Sequence, residues 1–276
     1  MSAADPLILV TGASDAVASA LLDRTAGQGI RILAVSGRAP RRAWPHVTWI
    51  EQDLERAAAD VRAGTLVSLG ALGHALAQVE EVPGIGRVVA MSTARTGYFD
   101  LLPNHVERAD LRRLANIEQH LKSACEARGI LLTLLKPCLV YHAGEAGTFS
   151  SAASTLDGRL VLLLGQGGLR APVHADDLAR LIVRCLEAGP PSAGTWSLAG
   201  GESLSVAGMI ERVATTRSVR VRRVPVPAMV ARRTLAGLNL PAAVASDLVG
   251  LYGHDVLPDD NRARERLDWQ PRGFRP

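Results

Sequence analysis

A glycine turn near the start of the chain carries the residues with the clearest chemical meaning. The apolar run Leu7–Val10 precedes the turn Thr11–Asp15, and a segment rich in alanine and leucine follows as far as Gly27. This order predicts a buried strand, a tight turn at Gly12 and then a helix. The first backbone N–H groups of a helix placed in this way can receive a phosphate group.

Asp15 opens that helix with a negative charge. A carboxylate held about 4 Å from a phosphate would repel it by about 4 kcal/mol at an effective dielectric constant near 20. A carboxylate that swings out into solvent would weaken binding far less. Asp15 is equally suited to cap the helix in a turn that no longer receives phosphate, so both interpretations stay open.

The elements that must position this turn alternate along the first half of the chain. Strand-like and helix-like segments follow one another to about residue 140, and the long helix carries an apolar stripe at Val106, Leu114, Ile117, Leu121 and Cys125. Strict alternation predicts an α/β fold with a Rossmann-type, doubly wound parallel sheet over residues 1–140. Residues 141–276 are richer in glycine and proline, and they predict a smaller C-terminal α/β lobe interwoven with the first. The predicted segments are strands at 7–10, 30–35, 47–50, 65–69, 87–91 and 130–135, and helices at 54–62, 70–81 and 106–128.

The composition narrows the class of protein. The 276 residues are 47% hydrophobic, and 31 basic residues are offset by 27 acidic ones scattered along the chain. Aromatic residues make up only 4%, so no nucleic-acid partner is expected. No apolar run reaches the roughly 18 residues of a membrane helix, and the first residues lack the pattern of a signal peptide. We therefore expect no membrane partner and a cytoplasmic location.

Cysteine and lysine are both scarce. Cys125, Cys138 and Cys185 are far apart, which predicts neither a disulfide framework nor a thiolate metal site. Lys122 and Lys136 are the only lysines, so any chemistry that needs a lysine has two candidates.

Four segments resemble one known family. The loop T-G-A-S-D-A-V-A at residues 11–18 resembles T-G-A-[TS]-G-[FY]-[IV]-G of the extended or atypical short-chain dehydrogenase/reductases, the NAD-dependent epimerase/dehydratase-like family. Asp15 and Ala18 stand where that family has glycine. The segments 132–144, 165–179, with its P-V-H-A-D-D-L-A, and 261–272, ending in L-D-W-Q-P-R, resemble the same family, so the resemblance spans almost the whole chain.

The resemblance implies a dinucleotide site on the first domain. The second strand ends near Arg38 without an acidic residue, which favours NADP over NAD, although a solvated basic turn is an equally good interpretation. Asp53 and Leu54 match the family's Asp-Leu near the adenine, and Asp53 is also an ordinary helix cap. The expected cofactor-binding residues are Gly12, Ser14, Asp15, Ala16, Val17, Arg38, Asp53, Leu54, Ser92 and Pro137.

The catalytic pair of the family is missing. The family carries Tyr-x-x-x-Lys on the long helix, where this chain has Asp110 and Leu114, and no Tyr-x-x-x-Lys occurs anywhere in the sequence. Thr93 matches the serine or threonine that holds the substrate oxygen, and Tyr98 follows it closely, so these two are the expected catalytic residues. Arg95, His105 or Asp110 could supply a replacement proton relay.

Two further groups of polar residues have a structural interpretation beside the functional one. His174, Asp176 and Asp177 include metal-ligand types, but in the family this segment is structural, so we expect no metal and place Asp176 as the N-cap of a helix running to Leu186. The basic segment 217–223 suits a solvated strand or a clamp on a substrate diphosphate.

Three classes of function remain open. The first is an NAD(P)-dependent oxidoreductase or sugar-nucleotide epimerase/dehydratase with a non-standard active site. The second is a non-catalytic dinucleotide sensor or regulatory subunit, and the third is a degenerate scaffold that no longer binds the cofactor. The sequence names neither the small-molecule substrate nor the oligomeric state, a homo-oligomer included.

Overall fold

The computed structural model describes residues 7–40, 42–53, 61–102, 105–142, 161–165, 167–216, 218, 220–236 and 254–276. Its strands are β1 (Ile8–Thr11), β2 (Ile32–Ser36), β3 (Val47–Glu51), β4 (Thr65–Ser68), β5 (Arg87–Met91), β6 (Leu131–Pro137), β7 (Leu139–Tyr141), β8 (Val161–Leu164), β9 (Leu169–Arg170), β10 (Pro172–His174), β11 (Gly194–Leu198), β12 (Leu204–Ser205) and β13 (Val221–Val224). Its helices are α1 (Ala16–Arg24), α2 (Leu72–Glu81), α3 (His105–Ala127), α4 (Ala175–Ala188), α5 (Val206–Thr216), α6 (Ala228–Ala236) and α7 (Asn261–Leu267).

Seven parallel strands form the main sheet, in the order β11-β6-β5-β4-β1-β2-β3. Central strands such as β1 and β2 are buried along their whole length, as expected for apolar strands covered by helices on both faces. The order of strands β3 to β6 is that of a Rossmann sheet, with its reversal between β1 and β4. The predicted doubly wound α/β fold is therefore confirmed.

Helices cover both faces of this sheet. α1 and α4 pack together on one face around Val17, Leu21 and Leu178, while α2 and α3 pack on the other around Val79 and Leu121. The strand β11 and the helix α4 come from beyond residue 141. The second half of the chain therefore supplies one edge strand of the main sheet and one of the helices that cover it. The C-terminal half adds three two-stranded pairs, β7 with β10, β9 with β12, and β8 with β13.

Three local predictions need comment. The N-cap of α4 is His174 rather than Asp176, because the Nδ1 atom of His174 accepts the backbone N–H of Asp176 at 3.1 Å and the helix begins at Ala175, two residues earlier than predicted. Val106 is 68% exposed rather than part of the buried stripe, although helical geometry places it within about 20° of Ile117; it lies in the first turn of α3. The predicted helix at 54–62 falls largely on residues 54–60, outside the described residues.

All three cysteines are free and buried. Among the described residues, no helix combines the length and the apolar character needed to cross a membrane.

Candidate functional site

The loops that follow β1 and β4 meet where the strand order reverses. Gly12 has a φ angle of +73°, and a Cβ atom added there would overlap Gly70 and lie 2.7 Å from its Cα. Only glycine therefore allows the two loops to approach so closely. Ligands of open α/β sheets bind in the crevice at such a reversal, beyond the carboxyl ends of the strands.

Asp15 caps the helix that points into this crevice. Its Oδ1 atom accepts the backbone N–H of Val17 at 2.8 Å, and its own backbone is extended, as in ordinary N-caps. The capping role that the sequence suggested is thus present. One of the N–H groups that could donate to a phosphate is already bound by the protein's own carboxylate.

Asp15 is exposed, but the protein atoms around its carboxylate make the environment of that group less polar than water. Asp15 remains accessible to solvent, yet the protein atoms around its carboxylate displace water and raise its pKa, against the lowering effects of the Val17 and Ala16 N–H groups and of His142. His142 follows β7 and lies beside His174, with 5.7 Å between the ring centroids. The Nδ1 atom of His142 is buried and has no hydrogen-bond partner within the described part of the chain.

The remaining expected cofactor residues lie along the same edge of the sheet. Ser14, Arg38 and Asp53 are exposed, whereas Val17 is buried in the core. Arg38 follows β2, and its backbone is fixed by contacts with Ser36 Oγ at 3.3 Å and Trp49 Nε1 at 3.2 Å. Ala16 is half-buried in the first turn of α1, and Pro137 is buried at the end of β6. Leu54 lies outside the described residues.

A buried ion pair connects β5, β6 and α3 beneath the crevice. Glu118 is only 3% exposed, and its two oxygens accept hydrogen bonds from Ser92 Oγ at 2.6 Å, Thr96 Oγ1 at 3.0 Å and Lys136 Nζ at 2.8 Å. The Ser92 hydroxyl is thereby committed to the protein's own carboxylate. Sequence reasoning missed this contact, because Glu118 and Lys136 are 18 residues apart in the chain. The available signal was a glutamate on the apolar face of the predicted helix.

Thr93 and Tyr98 enclose a short turn after β5. Thr93 begins the 3₁₀ turn Ala94–Gly97 and accepts the Arg95 backbone N–H on its Oγ1 atom at 3.2 Å. Its hydroxyl hydrogen is therefore free to point elsewhere. Burial and the neighbouring Cys138 raise the pKa of the Tyr98 phenol, so it stays protonated at neutral pH. This is the opposite of the lowering that a lysine partner produces in a phenol that acts as a base.

The positions that would hold the missing pair contain no substitute for it. Asp110 is exposed and lies 3.6 Å from Arg113, and Leu114 packs between two apolar clusters. His105 is exposed at the start of α3, whereas Arg95 is buried in the turn after β5. Of the three suggested relay residues, only Arg95 is enclosed.

Arginine–carboxylate contacts dominate both the cluster of His174, Asp176 and Asp177 and the described part of the basic segment 217–223. Asp176 accepts hydrogen bonds from Arg24 at 2.8 Å and from Arg272 at 2.6 Å, and Asp177 accepts two more from Arg272. In the basic segment, Arg223 pairs with Glu211 of α5, while Arg220 and Arg222 are exposed. Arg217 lies outside the described residues.

Comparison with solved structures identifies the fold. A structure of MoeE5 in complex with UDP-glucuronic acid and NAD matches 98% of this chain over 95% of its own, at 18% identity and a TM-score of 0.73. The UDP-glucose 4-epimerase of Thermotoga maritima, solved with UDP-glucose, matches at 18% identity and a TM-score of 0.69, covering 96% of this chain and 93% of its own. A short-chain dehydrogenase/reductase superfamily protein of Agrobacterium tumefaciens with bound NAD matches at 15% identity and 0.70, covering 97% and 93%.

The chain shares the fold of these structures. No protein-family model matches the chain, and no curated protein matches its sequence. The likeness to these structures extends over 96–98% of the chain and so includes both halves of it. Against that fold, the departures at Asp15, Asp110 and Leu114 concern side chains rather than backbone architecture.

Proposed function

We propose that the chain binds a nicotinamide dinucleotide along the carboxyl edge of the main sheet and modifies a sugar nucleotide held by its C-terminal half. The activity would be that of an epimerase/dehydratase-like oxidoreductase with a non-standard acid/base group. The crevice between the loops after β1 and β4, closed by the Gly12–Gly70 approach, is the observation that carries this proposal. It is supported by similar structures that contain NAD and UDP-glucuronic acid, or UDP-glucose.

The crevice fits a pyrophosphate once one side chain has moved. Gly12 lets the backbone come close, and the first turn of α1 directs its N–H groups to the same place. The carboxylate of Asp15 must leave Val17, a hydrogen bond worth about 1 kcal/mol, and Asp15 is exposed enough to turn outward. The N–H groups of Ala16 and Val17 would then hold the diphosphate, and Arg38 the additional phosphate of NADP.

The chain's own residues would orient the substrate. A bound dinucleotide supplies hydride transfer. Thr93 accepts a backbone N–H and can donate its hydroxyl hydrogen to a substrate oxygen, and Tyr98 can donate from its protonated phenol. Exposed Arg220 and Arg222 on the C-terminal half are suited to bind the diphosphate of a sugar nucleotide.

A rival function rests on Asp15. Because its carboxylate already fills the anion-binding end of α1, a scaffold that has lost the cofactor is consistent with the same geometry. The proposed enzyme and the scaffold differ in whether the protein binds any dinucleotide.

Calorimetric titration with NADP, NAD and UDP-glucuronic acid tests the proposal. We expect NADP to bind more tightly than NAD, and Arg38→Ala to weaken NADP about tenfold while leaving NAD unchanged. Arg266→Ala is the matched control, since Arg266 is an exposed arginine on α7, which packs against β11 at the opposite edge of the sheet. Equal affinities for NADP and NAD would remove Arg38 from the site, and no binding of either would favour the scaffold.

A further inference from the structure

The helix α4 begins at a histidine cap. The Nδ1 atom of His174 accepts the backbone N–H of Asp176 at 3.1 Å, and the backbone of His174 is extended, as in other N-caps. Serine, threonine, asparagine and aspartate are the usual N-caps, and none of them gains or loses a proton near neutral pH. An imidazole nitrogen accepts a hydrogen bond only while it is unprotonated, so this cap depends on pH.

Strand pairing holds the His174 ring beside two other rings. β10 and β7 pair in parallel, with His174 opposite Tyr141. These two rings meet edge-on with 5.0 Å between their centroids, and the ring centroid of His142 lies 5.7 Å from that of His174. His174 is only 7% exposed, so a charge on its ring would have little contact with water. Burial therefore lowers the pKa of His174, and the fold favours the neutral ring.

The charged groups that face His174 are already engaged with one another. Asp176 and Asp177, in the first turn of α4, both accept hydrogen bonds from Arg272. After burial, Arg272 and His142 lower the pKa of His174 further, whereas the two aspartates raise it without reversing the shift. Both carboxylates are committed to arginine, so they do not compensate a positive charge on the imidazole ring.

Loss of this cap would affect more than one hydrogen bond. The first turn of α4 carries Asp176, which binds Arg24 of α1 at 2.8 Å and Arg272 of the segment after α7 at 2.6 Å. Asp177 also accepts the backbone N–H of Arg272 at 2.9 Å. The directions of both carboxylates depend on the backbone that His174 fixes. A proton on one nitrogen therefore acts on the contacts that join α4 to two other parts of the chain.

We propose that His174 is a pH-sensitive switch that opens the first turn of α4 in mildly acidic solution. A proton from the solvent binds Nδ1, the acceptor becomes a donor, and the hydrogen bond from the Asp176 N–H is lost. The first turn of α4 then opens, together with its contacts to Arg272. At neutral pH the proton returns to the solvent and the cap forms again. The switch needs no ligand and does not depend on the proposed function.

The first test measures the opening of α4 by amide hydrogen exchange. The backbone amides of Asp176 and Arg272 both donate hydrogen bonds at this place, so their protection reports whether it is closed. Protection is measured from about pH 8 to about pH 5, with the intrinsic pH dependence of exchange removed. His174→Asn keeps a capping oxygen that does not titrate, and His120→Asn, at an exposed histidine of α3, is the matched control.

The two variants should differ in their response to acid. In wild type and His120→Asn, we expect the protection of the Asp176 amide to fall by up to about tenfold for each unit of pH between the unfolded and the lowered folded pKa of His174. In His174→Asn, we expect that protection to stay constant. The same loss of protection in wild type and His174→Asn, or none in either, would overturn the proposal.

The second test uses the wild-type protein alone and therefore stands even if His174→Asn fails to fold. Nitrogen-15 NMR of labelled histidine rings shows which ring nitrogen carries the proton. At neutral pH, we expect an unprotonated Nδ1 atom in His174, and we expect this atom to gain its proton below the ordinary histidine pKa, in step with the loss of protection at Asp176. A His174 ring that is protonated on Nδ1 at neutral pH, or that gains its proton while Asp176 stays protected, would refute the switch.

Thermal melts check the sign of the effect. The lowered pKa means that the folded chain binds this proton less readily than the unfolded chain, so the stabilisation from His174 is present above its unfolded pKa and is lost as the pH falls through its folded pKa. His174→Asn should melt somewhat below wild type at neutral pH, because its smaller side chain leaves space beside Tyr141. We expect this gap in melting temperature to narrow in acid. A gap that does not change with pH would exclude titration of His174 as its cause.

Discussion

Asp15 shows how one side chain can occupy a site meant for a ligand. Its carboxylate satisfies Val17 N–H at the end of α1 where an incoming phosphate would bind. Capping and phosphate binding use the same N–H groups, so the protein cannot do both through that bond at once. Whether the carboxylate yields is therefore the decisive question at this residue.

Replacing Asp15 by glycine should tighten NADP binding by roughly ten- to a thousandfold, the range implied by relief of about 1.4 to 4 kcal/mol of repulsion. Glycine is a tolerated cap, so the melting temperature should fall only slightly. Calorimetry and thermal melts on one preparation measure both effects. A variant that melts near the wild-type temperature and still ignores NADP would favour the scaffold interpretation.

The raised pKa of Asp15 gives this residue a pH signature. Phosphate binding favours the protonated carboxyl, so the affinity of wild type for NADP should rise as the pH falls from neutral toward the pKa of Asp15. Asp15→Asn keeps the cap and removes the charge, so its affinity should depend less on pH. The comparison must be made between variants, because His142 faces residue 15 in both. Identical pH profiles would show that Asp15 does not oppose the ligand.

Among the elements, α3 is joined to the main sheet by polar contacts as well as apolar ones. Its buried Glu118 joins the ends of β5 and β6 through Ser92 and Lys136. The apolar positions Leu121 and Cys125 were predictable from helical spacing, and they are buried. The inward position of Glu118 was not, because hydrophobic periodicity assigns charged residues to the solvent face.

Removing one partner of the Glu118–Lys136 pair should strongly destabilise the fold. Lys136→Met would leave Glu118 buried with an uncompensated charge, which costs about 3–5 kcal/mol. The double variant Lys136→Met with Glu118→Gln should recover much of this loss, because no buried charge remains. Denaturant unfolding of the single and double variants measures both free energies. If the single and the double variant lost the same free energy of unfolding, the buried charge on Glu118 would not be the cause of the loss.

Several strands in the first ninety residues were predictable from the positions of apolar residues alone. Mainly apolar segments of four to six residues predicted β1, β2, β4 and β5 within about two residues, since a buried parallel strand needs little else. The glycine at residue 12 and the cap at Asp15 were also predictable, because both act within one turn of chain. The cap of α4 was placed two residues late, since histidine is an unusual capping residue and its role depends on the tautomer.

At the scale of the whole molecule, the segment after α7 is fastened to the start of α4 and to the end of β7. Arg272 donates to Asp177 through its backbone N–H at 2.9 Å and its Nε atom at 3.0 Å, and its Nη2 atom reaches Asp176. Phe274 packs against Tyr141, whose hydroxyl donates to Gly273 O at 3.0 Å. Contacts of this kind join residues more than 90 positions apart and cannot be derived from local sequence patterns.

Arg272→Met should weaken this connection and lower the free energy of unfolding by about 1–3 kcal/mol, because Asp177 would lose its main donor while staying buried. Arg266→Met, an exposed arginine on α7, is the control and should have little effect. Thermal or denaturant unfolding gives the difference. A loss no greater than that of the control would mean that the apolar contacts of Phe274 suffice.

The same contacts predict how the molecule responds to acid. Burial alone would raise the pKa of Asp176, but hydrogen bonds from Arg272 and Arg24 outweigh it and hold the pKa below its ordinary value. The stabilisation from Asp176 is therefore present above its unfolded pKa and is lost as the pH falls through its lowered folded pKa. Wild type should exceed Asp176→Asn in melting temperature at neutral pH, with the gap closing in acid. A gap that stays constant with pH would exclude ionisation of Asp176 as its cause.

Because the chain has only two lysines, chemical modification of Lys136 can report whether the Glu118–Lys136 contact is open or closed. Acylating reagents attack an accessible, unprotonated amine, and Lys136 holds its ammonium group against Glu118, whereas Lys122 of α3 is partly exposed. Lys122 should therefore be labelled at once under native conditions, and Lys136 only when α3 separates from β6. With just two lysine side chains in 276 residues, one mass shift on one peptide would time that opening.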